Sequence, residues 1–355
     1  MTTASLVHSL LTAAAIALVF GMMMVGHEYG HYVFAKRARM RVHEFGIGIG
    51  PKLFSFKRGE TVFSLRPIPV MAFVRIAGST PDEADDPDGF ARKPLLSRVL
   101  TIAGGPLANI ALAVVLFAVV FMGQGYPAIP KIDSVVPGEP AAMAGLQPGD
   151  RVLAIDGRPT TDWEQLRSAI VSHPGQPLAL RVQRDGRQLE IVVVPQVTPQ
   201  SQGKPMIGVA IGAEFVRLDP LRALARALSE TGRQVVAWAE GLAMLITRRV
   251  PGGVDASLTG PVGISRYIGQ AANAGLFALL TIAAQLSTIL GLMNLLPIPA
   301  LDGSRLVFLA VEGIRRRPID PEKENLVHVI GLAFLLLLAV FVTYLDIKRL
   351  GTPLP

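Results

Sequence analysis

The 355-residue chain contains no cysteine, is 50% hydrophobic and only 17% charged, and carries a formal net charge of +7. A mean hydropathy of +0.44, with charged residues well short of the roughly 25% of a soluble globular chain, points to a bilayer as the main solvent. Disulfides, thiolate metal ligands and cysteine nucleophiles are excluded, and the Lys and Arg gather in loops flanking apolar runs, a topology signal that leaves no nucleic-acid partner expected.

Four segments, about 6–26, 99–122, 276–297 and 326–345, are apolar over roughly the 20 residues a membrane-crossing helix needs. The first has no Lys or Arg before it and an apolar core too long for a typical signal peptide, so it is expected to remain as a helix. The stretch 36–98 holds twelve basic residues, and Arg305, Arg315, Arg316, Arg317 and Lys323 follow the third span. Both connections are therefore expected on the cytoplasmic side. The loop 123–275 carries fifteen basic residues, but loops much longer than about 60 residues translocate largely regardless of charge. It is expected outside, with both termini.

At the inner end of the first span stands His27-Glu28-Tyr29-Gly30-His31. Histidines four apart share a helix face, so both rings reach one Zn²⁺, and Glu28 is placed to take a proton from the attacking water. Two imidazoles and a carboxylate at the edge of a hydrocarbon span are costly unless a cation compensates them. A catalytic zinc takes three protein ligands, so one more must come from elsewhere. Of the other histidines, His8 and His328 read as span or interface residues.

Residues 128–212 lose the long apolar runs and show short alternating stretches, Pro177–Gln183 and Leu189–Val194, bounded by Gly, Pro and Asp-Gly turns. Val136–Asp156, followed by the helix-like Trp163–Val171, resembles a bacterial, circularly permuted PDZ domain. That resemblance implies a carboxylate-binding loop at Met206-Ile207-Gly208-Val209, with Ile207 and Gly208 contacting peptide; a glycine inside an apolar strand also fits plain close packing. Peptide capture and a purely steric filter both remain open for this module. Beyond it, Asp219-Pro220 is a helix-start signal, and leucines at helical spacing interleaved with Arg222, Arg226 and Arg233 suit an interfacial amphipathic helix or a packing helix.

The third span closes on Asn294-Leu295-Leu296-Pro297-Ile298-Pro299-Ala300-Leu301-Asp302-Gly303. Its prolines interrupt the helix. By the span count, the first and third spans both run outside to inside, so His31 and Asp302 reach the same membrane face. Together, the HExxH, the PDZ-like insert and this motif make the chain similar to the site-2 protease family, bacterial intramembrane zinc metalloproteases of the one-PDZ form related to regulators of sigma-E proteolysis. The resemblance includes Gly104–Asn109 and Thr259–Ile264 and extends over essentially the whole length.

The family implies zinc held by His27, His31 and Asp302, Glu28 as catalytic base, and Asn294 helping to hold substrate. It also implies a membrane-associated β-hairpin-like loop after the first span, with Gly46, Gly48 and Gly50 pairing an extended substrate by strand addition. The fold expected is an α-helical polytopic membrane protein of about four transmembrane helices with that β-loop and an inserted α+β PDZ-like domain. Its parts are 1–122, 128–212, a helical linker 213–275, and 276–355. The implied activity is cleavage, at the bacterial inner membrane, of single-span membrane proteins such as anti-sigma factors or remnant signal peptides, after an upstream site-1-type protease has trimmed them. The active site is expected near the cytoplasmic face and the PDZ-like domain outside. Rival readings are an inactive scaffold using that domain and a zinc transporter; intact Glu28 and the lack of internal repeats argue against them. Two departures from the family, Ala72 before Phe73 and Ser304 after Gly303, leave the presentation of substrate near Phe73 open.

Overall fold

The computed structural model describes residues 3–79, 83, 86–160, 163–197, 205–247, 259–317 and 319–348. They form two compact units, Met1–Ala118 with Leu224–Pro355, and Val119–Ala223. The chain runs through α1 (Thr3–Arg37), β1 (Val42–Ile49), β2 (Phe54–Arg58), β3 (Thr61–Leu65), β4 (Ile68–Ile76) and α2 (Leu95–Gly123). The insert follows with β5 (Tyr126–Val135), α3 (Pro140–Met143), β6 (Arg151–Ile155), β7 (Arg158–Pro159), α4 (Trp163–Ser172), β8 (Leu178–Arg184), β9 (Arg187–Val193) and β10 (Val209–Val216). Then come α5 (Pro220–Ile246), α6 (Pro261–Ala274), α7 (Leu276–Leu295), α8 (Asp302–Arg315) and α9 (Pro321–Lys348).

Among the described residues, α1, α2, α7 and α9 are long and apolar enough to cross a membrane. Helix α1 continues past the expected end of its span to Arg37, carrying the HExxH inside regular helix. It stops where Arg39 adopts a left-handed φ of 54° and the Met40 N–H closes on the Ala35 carbonyl at 2.8 Å, a helix-terminating arrangement. Helices α1 and α2 meet backbone to backbone: a Cβ on Gly30 would lie 2.1 Å from the Gly104 oxygen. Small residues permit this approach where lipid offers no hydrophobic drive. Helix α7 joins them through the Ser287 hydroxyl, which donates to the Asn109 carbonyl at 2.8 Å. At the other end of the bundle, the Asp346 carboxylate of α9 accepts the N–H groups of Gly260 and Gly263, filling the orphan donors that open α6.

Where the sequence suggested a hairpin-like loop, the chain after α1 folds into a four-stranded mixed sheet in the order β2-β3-β1-β4. β1 pairs parallel with β3 and antiparallel with β4. The physical reason is a crossover: the Arg66-Pro67 link carries the chain from β3 past the end of β1 to β4. Gly48, at φ +95°, lets it pass, since a Cβ there would lie 2.7 Å from the Arg66 oxygen. Buried Glu44 stitches the layer by accepting bonds from Ser64 Oγ at 2.6 Å and Arg66 Nη2 at 2.9 Å.

The second unit is a sheet ordered β10-β5-β6-β8-β9, with β7 beside β6 and α4 packed on it. Its core gathers Ile132, Leu166, Leu178, Leu180, Val182 and Ile207. β8 and β9 join through Asp185-Gly186, both with positive φ, the two-residue hairpin turn that Asp-Gly favours. Asp150, fully buried, accepts Arg184 Nε and Nη2 at 2.7 Å each and the Gln147 N–H at 2.9 Å. Burial pushes its carboxyl up, but the Arg184 bonds and the Gln147 N–H outweigh it and hold the group below its usual range. Helix α5 starts at the expected place, with Asp219 Oδ1 accepting the Arg222 N–H at 3.0 Å.

Candidate active site

The helical period puts His27 and His31 on one face of α1, and their Nε2 atoms lie 3.2 Å apart. Asp302, the first residue of α8, brings Oδ2 to 3.0 Å from His27 Nε2 and 3.3 Å from His31 Nε2. Two features hold α8 in register. A Cβ on Gly303 would strike the Leu296 oxygen at 2.1 Å, so only glycine allows the chain to fold back there. Arg98 and Glu312 form a bidentate, mostly buried pair between α2 and α8. Ser304, the departure from the family pattern, is buried and donates to the Leu301 carbonyl at 2.8 Å, so it caps the turn without touching the cluster.

The ring nitrogens facing away from the cluster are fixed by residues the sequence reading missed. His31 Nδ1 donates to the Thr101 carbonyl at 2.8 Å, which leaves Nε2 as a bare lone pair. Buried Asn109 places its side-chain amide 3.3 Å from His27 Nδ1. The nearer atom is Asn109 Nδ2; turning the amide by 180°, which also gives the otherwise unpartnered Oδ1 a donor, lets Oδ1 accept the Nδ1 proton and leaves Nε2 bare there too. A carbonyl carries no residue signature, and Asn109 lies 82 positions from its partner. Only the Gly104–Asn109 resemblance hinted at Asn109, and nothing hinted at Thr101.

Two bare nitrogens and a carboxylate oxygen at 3.0–3.3 Å repel one another unless a cation lies among them. Tetrahedral zinc with bonds of about 2.0–2.1 Å requires donor separations of about 3.3–3.4 Å. Asp302 Oδ2 is buried and receives no aligned hydrogen bond, so it is available as a ligand. The residues fit zinc. Glu28 belongs to the same cluster, within 4.8 Å of both imidazoles, and accepts a hydrogen bond from the Val74 backbone of β4.

These groups open onto a cavity of about 530 Å³ also lined by Asn294, Phe73 and Arg305, within the usual size for a ligand site. Asn294 is thus brought to the cluster. Gly46, Gly48 and Gly50 are not: they lie on β1 or just past its end, and β3 and β4 pair with the two edges of that strand. Gly48 and Gly50 instead make room for the Arg66-Pro67 crossover, and Gly46 for the Phe73 ring, which a Cβ would meet at 2.2 Å. The strand that faces the cavity is β4. Ile207 and Gly208 lie in the other unit. The Ile207 side chain is core, 2% exposed, and the Glu139 stem lies against Gly208, bringing a negative charge where a peptide carboxylate would have to dock.

A His-Glu-His-Asp cluster carried by α1 and α8, in a chain with four helices long and apolar enough to cross a membrane, is the arrangement of a membrane-embedded metallopeptidase. The family model described as "Peptidase family M50" matches residues 15–338, and the chain belongs to that family. It is 34% identical to "Zinc metalloprotease RasP" of Geobacillus kaustophilus, over 97% of this chain and 99% of that protein. Identity is 32% to the protein of the same name from Oceanobacillus iheyensis and 32% to "Regulator of sigma-W protease RasP" of Bacillus subtilis, each over 96% of this chain and 99% of the relative. Among solved structures, the PDZ domain of the SdrC-like protein from Listeria monocytogenes matches 24% of this chain and 88% of its own, at 22% identity and a TM-score of 0.22.

Proposed function

We propose that His27, His31 and Asp302 hold the zinc and that Glu28 is the base of the peptidase reaction, in an intramembrane zinc metalloprotease acting in regulated intramembrane proteolysis. The observation that carries this reading is the convergence of Asp302 on two imidazoles 275 and 271 residues away in sequence, at 3.0 and 3.3 Å. When bound, zinc supplies Lewis acidity that polarises a carbonyl and acidifies water. Glu28 takes the proton of the attacking water on its carboxylate and returns it to the amide nitrogen of the leaving chain. Asn294 sits on the same cavity as a side chain able to hold the substrate backbone. β4 supplies the cavity wall against which an unwound substrate segment is laid, since a helix hides its carbonyls in its own hydrogen bonds.

The substrates are single-span membrane proteins, in keeping with the sigma-W regulator among the relatives; anti-sigma factors and remnant signal peptides fit this class. An upstream protease removes the bulk of the ectodomain first. The insert acts as a size filter, a role favoured over carboxylate capture by the Glu139 side chain over Gly208. The basic loops support a site near the cytoplasmic face of a bacterial inner membrane, with the insert outside. Co-expression with a tagged single-span substrate lacking most of its ectodomain tests the whole: wild type should cleave it and Glu28→Gln should not, while both retain zinc. Equal cleavage by the two would refute the assignment.

A further inference from the structure

His328 opens the last span, where its sequence context reads as lipid or interface. In the structure its Nδ1 accepts the backbone N–H of Ala300 at 3.1 Å. A backbone amide only donates, so Nδ1 bears the lone pair and the neutral ring carries its proton on Nε2. That atom lies 3.7 Å from Glu324 Oε1, one turn earlier on α9. Ala300 is itself unusual. Its φ is +75°, in the left-handed region that is unfavourable for a non-glycine residue and persists only where its surroundings impose it. It stands two residues before Asp302.

A second contact comes from the same face of α9. Gly331, three residues after His328, sits so close to Pro299 that a Cβ there would lie 2.1 Å from the Pro299 Cβ. Only 6% of the apolar window of α9 is buried, and apart from the Asp346 contacts at its far end the helix is held at this end. Its two points of purchase on the segment leading to Asp302 are thus a hydrogen-bond acceptor on the strained residue and a flat surface under the proline before it.

We propose that His328 is a positioning residue for the metal centre: by accepting the Ala300 N–H it locks the left-handed turn that delivers Asp302 to His27 and His31. This rests on the assignment of Asp302 as a ligand. Without the acceptor, Ala300 relaxes toward negative φ, the peptide behind Asp302 rotates, and its carboxylate leaves a geometry that tolerates only about ±0.2 Å.

The test is zinc affinity, measured by chelator competition on the full-length detergent-purified protein, for His328→Leu, His328→Asn and the double variant His328→Leu with Ala300→Gly. Asn and Leu match in size, but only Asn keeps an acceptor near the Nδ1 position. His328→Leu should lose affinity about 10–100-fold, the usual consequence of removing a group that orients a metal ligand. His328→Asn should stay near wild type. Ala300→Gly should restore most of the loss, because glycine holds positive φ without help, and a merely lipid-facing histidine would show no such rescue. Wild-type affinity in His328→Leu, or no recovery with Ala300→Gly, overturns the proposal. If His328→Leu does not fold, His328→Phe, which keeps a ring but offers no acceptor, takes its place, and unchanged zinc affinity in it overturns the proposal equally. Asp302→Ala is the reference: full zinc retention there removes the ligand assignment itself, whereas zinc lost there and kept in His328→Leu refutes only the role of His328.

Discussion

Gly105 lies inside α2, where alanine would ordinarily strengthen a helix by about 0.5–1 kcal/mol. Its surroundings reverse that expectation. A Cβ at this position would stand 2.4 Å from His31 Nε2, 2.6 Å from His31 Cε1 and 2.8 Å from His27 Nε2. Ordinary carbon contacts begin near about 3.5 Å, so the His31 ring must retreat by roughly 1 Å, several times the tolerance of about 0.2 Å for a metal bond. Gly105→Ala should therefore lower zinc affinity by at least about 100-fold, near 2.8 kcal/mol, and, because the overlap exists without metal, should cost the metal-free protein about 1–3 kcal/mol as well. Chelator competition and a thermal melt of the apo-protein read the two effects separately. Zinc affinity within threefold of wild type would show that the imidazoles do not converge in front of Gly105.

Gly46→Ala should displace the Phe73 ring, which an added Cβ would meet at 2.2 Å, and disturb the β4 wall of the cavity. We expect KM for a trimmed substrate to rise about tenfold with zinc content unchanged, the signature of lost substrate binding; an unaltered KM would take Phe73 out of the substrate path. In the insert, Asp150→Asn leaves Arg184 without its carboxylate, and with the Arg184 side chain 23% exposed the cost should be about 2 kcal/mol, below the range for fully buried pairs. Hydrogen exchange across 126–197 in the full chain would register it. Because the Asp150 carboxyl sits below its usual value, the unfolded state binds the proton first as pH falls. The stabilisation is therefore complete above about pH 4 and fades as pH drops through the folded value. Exchange in Asp150→Asn should lack that acid dependence, and an identical acid profile in the two proteins would discount the ion pair.

Hydropathy and helical period are local properties, so the sequence alone determined the four apolar helices, the shared face of His27 and His31, the Asp-Gly hairpin and the start of α5 at Asp219. Asp302 was within reach too, because counting spans places two helix ends at one face even when the distance between them is unknown. What the pattern along the chain did not encode was the pairing of distant segments. The Gly-rich run reads as a turn or a hairpin, yet its glycines exist for the Arg66-Pro67 crossover and the Phe73 ring, neighbours that only sheet order supplies. The carbonyl of Thr101, the amide of Asn109, the carboxylate of Asp346 on Gly260 and Gly263, and the ring of His328 against Ala300 all act across 28 to 86 residues. Each is an ordinary polar group made specific by its position in space, which depends on how helices pack backbone to backbone and not on any spacing within one of them.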